Sequence, residues 1–106
     1  MKLTDLDPRW FDALDRSDGL FKRSGFTFLC PHCQTTRLAV TTAKLKWSDQ
    51  MDALAKLHPD NHGDIVPGGF VWTINGDDFN ALTVTPSIDC SAAGHWHGFI
   101  TDGDIT

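Results

Sequence analysis

Two cysteines in the run Phe28-Leu29-Cys30-Pro31-His32-Cys33 form half of a metal clip. Thiolates at this spacing converge on one point when the backbone wraps around an ion, and zinc takes four nitrogen or sulfur ligands in a tetrahedron. Cys90, His95 and His97, near the other end of the chain, offer the second half. Three cysteines are an odd count, two of them in a tight C-x-x-C, which fits a metal thiolate better than a disulfide framework. They are too few for the four thiolates of an iron–sulfur cluster, and thiolate mixed with imidazole suits a closed zinc site better than copper. The expected ligand set is Cys30, Cys33, Cys90 and His97, with His95 the substitute for either distal ligand. Cys90 also has a plainer reading as a buried structural cysteine. His32 reads as a solvent-facing spacer inside the knuckle.

The elements that must hold these residues follow from periodicity. Phe26 and Phe28 alternate with Thr27, so residues 25–29 read as a strand entering the cysteine knuckle, with a return strand over 37–42. This is the hairpin of a zinc ribbon, and it disfavours a redox pair, which sits at a strand-to-helix turn. Asp7-Pro8 before Trp10, Phe11 and Leu14 predicts a first short helix, stopped at Asp18-Gly19. Ser48 is expected to cap a second helix through Leu57, ended by Pro59. Residues 60–69 are loop by composition. Strands are expected over 70–74, 82–85 and 95–101, with hairpin turns at Asn75-Gly76 and Asp102-Gly103. Pro86 lacks an amide donor and belongs at an edge or bulge. If residues 91–94 join two antiparallel strands, Cys90 faces His95, and His97 follows on the same face.

With 106 residues and 41% hydrophobic content, the chain fits one zinc-binding domain over 1–106. The expected class is α+β: a zinc-ribbon-like knuckle with an antiparallel β-sheet and two short helices. No apolar run is long enough to span a bilayer and no secretory leader is evident, so the cytoplasm is the expected compartment. The formal charge is −5 and all fourteen acidic residues are Asp. That balance opposes nonspecific attraction to nucleic-acid phosphates and leaves no Glu as a general base.

The ordered set Phe28-Leu29-Cys30-Pro31-His32-Cys33, Trp72 before Asn75-Gly76, Thr85-Pro86-Ser87-Ile88, His97-Gly98-Phe99-Ile100 and Asp102-Gly103 resembles a small domain-of-unknown-function family common in tailed phages and prophages. Its members often carry the misleading label ammonia monooxygenase. The resemblance covers residues 26–33 and 70–106 and implies a small metal-binding β-rich domain in which His97 is a ligand candidate. In many relatives a cysteine stands beside or just before that histidine, where this chain has His95 and Trp96. The first helix and residues 44–69 lie outside the resemblance.

The resemblance and the acidic charge together lead to a phage-type zinc-stabilised protein that binds a protein partner, a host defence component being the expected kind. Tryptophan is favoured at interface hot spots, and Trp47, beside Lys44 and Lys46, is the expected exposed partner-binding residue. A zinc-dependent hydrolase is the alternative; it needs an open coordination position and a carboxylate such as Asp89 or Asp102 as base. A nucleic-acid-binding zinc ribbon comes third, opposed by charge. Leu57-His58-Pro59-Asp60 is similar to the His-Pro-Asp loop of chaperone J-domains, but those need a long helix afterwards, where this chain has strand character. His58 reads instead as a packing or capping residue.

Overall fold

Phe26 and Phe28 point to one side of their strand and Thr27 to the other, and this alternation sets up a three-layer arrangement. In the computed structural model, which describes residues 1–60 and 64–106, two antiparallel sheets enclose one core, and a single α-helix covers the outer face of the first sheet. The first sheet is β1 (Arg9–Asp15), β2 (Leu20–Leu29) and β3 (Arg37–Thr41), in that order. After α1 (Trp47–Leu57) comes the second sheet: β4 (Thr73–Asn75), β5 (Thr83–Asp89), β6 (His97–Thr101) and β7 (Asp104–Ile105). Phe26, Phe28, Leu38 and Val40 meet Val84, Ile88, Trp96 and Ile100 in the shared core. The mixed helix-and-antiparallel-sheet class holds, but with one α-helix among the described residues where two short helices are expected.

The segment expected as the first helix is strand β1. Trp10 packs edge-on against Phe26 and stacks on Phe79 at 4.6 Å, whereas Phe11 joins the cluster under α1. Neighbouring residues thus serve opposite faces, which a strand allows and one helical face does not. Asp18-Gly19 belongs to the β1–β2 turn, with Gly19 at φ 74° and its N–H donating to Asp15 O. The segment before β1 forms only a short 3₁₀ turn, Leu3–Leu6.

Helix α1 begins at Trp47, with Lys46 as its N-cap and no side-chain cap, so Ser48 lies inside the first turn and does not cap it. What anchors this end is Asp49, whose carboxylate suits the positive helix N-terminus and takes a two-pronged pair from Arg16 of the hairpin at 2.8 and 2.7 Å. Ala53 and Leu54 pack on Phe11, Ala13, Ala39 and Ile65. The C-terminal cap is His58, whose N–H reaches Leu54 O.

Part of the loop expected over 60–69, residues 61–63, lies outside the described residues; the rest is pinned. Val66 exchanges backbone bonds with Arg37 and Ala39 on the edge of β3, and the Gln50 amide makes paired bonds with Gly68 N–H and O. Regular pairing in β4 starts only at Thr73, Trp72 N–H having gone to Thr41 O. Asn75 pairs with Thr83, so the connection runs over residues 76–82 in place of a two-residue turn. Asp78 organises it by accepting the N–H of Asn80. The Asp102-Gly103 turn is as expected, with φ of 49° and 77° supplying the two positive values a type I′ turn needs. Pro86, preceded by a cis peptide, sits where the β5–β6 register shifts between Val84 and Ile88, which is the expected bulge.

On the outer side of the first sheet, a polar network is buried beneath the end of α1. Arg37 donates from Nε to Thr27 Oγ1 at 3.0 Å and from its terminal nitrogens to the Asp7 carboxylate, Asp7 O and Thr27 O. Thr27 Oγ1 lies 2.9 Å from His58 Nε2. Burial, then the Arg37 and Arg9 charges, push the His58 pKa below its ordinary 6.5. The unfolded chain therefore binds a proton at His58 that the native state refuses, so this contribution is complete above pH 6.5 and is lost as pH falls below it. Urea midpoints should decline with acidification from pH 7, and His58→Gln should show a shallower decline. Packing sets a second expectation at Gly25, where a Cβ would lie 2.0 Å from Val40 O and 2.8 Å from the Phe11 ring. Gly25→Ala should cost about 3 kcal/mol in chemical denaturation. Gly69→Ala, with open space around it, should cost far less.

Candidate metal centre

Strand β2 delivers Cys30 to the rim of the core, and the chain folds back on itself before β3. Cys30 N–H donates to Thr36 O and Gln34 N–H to Cys30 O, each at 2.8 Å, while Gln34 takes the left-handed φ of 55° that closes the knuckle. Cys30 is buried and Cys33 is exposed. From the second sheet, the connection between β5 and β6 folds as a 3₁₀ turn over Ser91–Ala93 with Gly94 at φ 78°. His95 follows, its N–H held by Cys90 O.

The two ends meet. One ligand atom from each of Cys30, Cys33 and His95 lies within 4.8 Å of the others, and Cys33 Sγ stands 3.8 Å from His95 Nδ1. Zinc–sulfur and zinc–nitrogen bonds in a tetrahedron place such atoms about 3.6–3.8 Å apart. These three residues could therefore hold a metal ion after a small contraction. Hydrogen bonds from the Thr35 and Thr36 amides, aided by the Thr35 hydroxyl, pull the Cys33 pKa down to about 5 and favour its thiolate. The two threonines after the knuckle escaped the sequence reading; consecutive hydroxyl residues following C-x-x-C are their signal.

Cys90 and His97 do not join that cluster. Cys90 is half-buried against the core, its N–H bonded to Trp96 O, and burial, then the nearby Cys30 and Asp89, push its pKa up. His97 pairs across the sheet with Asp89 and is exposed. Its direction follows from the strand: Trp96, Gly98 and Ile100 are buried, so His97 and Phe99 point outward. His95 precedes β6, and the pleat does not dictate its orientation. That is why His95 and His97 separate although they stand two residues apart.

Of the two candidate bases, Asp89 has its carboxylate engaged in turn structure, whereas Asp102 is held in its turn by its backbone. Asp89 accepts both N–H and Oγ of Ser91, and Asp102 sits in the β6–β7 turn with its N–H on Thr83 Oγ1. His32 is exposed, as a spacer would be. Trp47 is 61% exposed and lines a groove of about 480 Å³ with Phe70 and Val71. Among the described residues, no helix is long and apolar enough to cross a membrane. The chain matches no family model, no curated protein and no solved structure.

Metal analysis of purified variants tests the site. Cys30→Ser, Cys33→Ser and His95→Ala should each lower bound metal at least tenfold at limiting supply, whereas His97→Ala should retain it.

Proposed function

We propose that this chain is a zinc-clipped interaction module. A zinc ion ties the ribbon-like knuckle of the first sheet to the β5–β6 connection of the second, and the surface so stiffened binds a protein partner through Trp47. The observation that carries this reading is the meeting of Cys30 and Cys33 with His95 from separate sheets. A tetrahedral zinc needs one more ligand, and Cys90 is the proposed donor: it follows β5 directly and packs against the core cluster that contains Cys30. The resemblance to the phage family supports a phage-encoded protein working in the host cytoplasm, with a host defence component as its partner.

One observation favours a second reading. The three residues brought together, two cysteines and one histidine, also match the ligand count of catalytic zinc, whose fourth position takes the water that becomes the nucleophile. The engagement of the Asp89 carboxylate by Ser91 makes the scaffold role the stronger of the two.

Chelation separates the outcomes. The sheets share an apolar core that the metal does not make, so metal-free protein should keep its β-structure when cold but unfold at a lower temperature. The loss should reach about 4 kcal/mol when zinc was present at a thousand times its Kd. In the cobalt-substituted protein, Cys90→Ser should weaken the thiolate-to-metal absorption in proportion to the sulfur removed. An unchanged melt on chelation would sink the clip. Recovery of a stoichiometric host protein by the zinc-loaded chain, lost in Trp47→Ala, checks the partner reading; no such protein would count against it.

A further inference from the structure

Basic residues are few in this acidic chain, and they are unevenly placed. Arg16, Lys22, Arg23, Lys44 and Lys46, five of the nine, line one cleft of about 380 Å³ between the β1–β2 hairpin and the segment leading into α1. Only Asp15 and Asp49 of the fourteen aspartates share it, and both are engaged, by Lys22 and Arg16 respectively. Among the described residues, Lys44 and Lys46 make no salt bridge, while Arg23 lies over the Trp10 ring at 4.3 Å. The cleft is therefore a cationic surface on a molecule of charge −5.

Its neighbour is apolar. Ala43, Lys44 and Leu45 line both this cleft and the groove of Trp47, Phe70 and Val71. The latter three side chains are 61%, 51% and 48% exposed, which gives the groove a concentration of uncovered apolar surface. Cation and aromatic thus stand side by side across one short segment, a composition that suits a ligand carrying negative charge beside a large apolar group.

We infer that this paired surface binds an extended acidic peptide segment of a partner protein, its carboxylates facing Lys44 and Lys46 and an aliphatic or aromatic side chain in the Trp47 groove. The inference rests on the protein-partner reading above and gives that partner a chemistry. Charge selects the approach: the aspartate-rich remainder of the molecule repels an acidic segment and leaves this face as its landing point. Single-stranded nucleic acid offers anions and stacking bases as well, but Asp15, Asp18 and Asp49 beside the cationic groups interrupt the continuous basic track that a phosphate backbone follows.

The test uses zinc-loaded, full-length protein to select from a yeast-displayed library of random twelve-residue peptides, followed by polarisation assays on the enriched sequences. Enrichment of Asp or Glu next to Leu, Ile, Phe or Trp is expected, with Lys44→Glu/Lys46→Glu weakening binding tenfold or more and Trp47→Ala doing likewise. Lys2→Glu, a charge change elsewhere on the surface, should change it less than twofold. Enrichment of neutral or basic peptides that still need Trp47 would overturn the acidic inference and leave the partner reading standing. No enrichment over the Trp47→Ala protein would overturn both. Tighter binding of a twelve-nucleotide thymidine or uridine oligomer than of the best peptide would also overturn the inference. Melting curves and metal content matching the parent confirm that the variants are folded.

Discussion

Trp96 meets Phe28 edge to face, with ring centroids 5.9 Å apart at 87°, and the candidate metal centre depends on this contact. Phe28 stands two residues before Cys30, and Trp96 directly follows His95. Burying the two rings against each other brings the knuckle of one sheet beside the loop of the other before any ion is considered. Such a pair adds about 0.5–1.5 kcal/mol beyond its burial. Gly98 is part of the same device: a Cβ there would fall 2.5 Å from the Trp96 ring, so only glycine lets the indole lie flat along β6. The candidate ligands are thus neighbours of core aromatics, and a bound ion would reinforce an arrangement that packing already prefers.

On the other face of the first sheet the constraint is polar. Thr27 alternates with Phe26 and Phe28, so pointing the phenylalanines into the shared core obliges Thr27 to face α1. Arg37 from β3 and His58 from the helix end then satisfy one another through its hydroxyl, and Asp7 neutralises the buried guanidinium. This network and the Arg16–Asp49 pair hold helix and hairpin to the sheet at opposite ends of α1. Residues 43–45, just ahead of α1, form the wall shared by the cationic cleft and the Trp47 groove. The proposed binding face therefore adjoins the end of α1 that Arg16 and Asp49 anchor.

Much of this was legible in residue order. The knuckle hairpin, α1 with its stop at Pro59, the Asp102-Gly103 turn and the bulge at Pro86 each follow from local stereochemistry, and each is present. The first helix failed because Asp-Pro followed by apolar residues describes a helix start and a strand entry equally well; the long β2 beside it, a tertiary partner, chose the strand. Asn75-Gly76 failed as a hairpin turn because Asp78 and its neighbours organise a longer connection.

The sequence by itself determined that a pair able to hold a metal lies at 30 and 33, since C-x-x-C geometry is local, and that distant cysteine and histidine residues were available to meet it. Only the tertiary structure decided which of them does. Strand parity turns His97 to solvent while Trp96 goes inward, and the loop ahead of β6 frees His95 to reach the thiolates. The gathering of scattered lysines and arginines into one cleft was likewise invisible in the chain, because residues 16–23 and 44–46 become neighbours only when the hairpin folds against the start of α1.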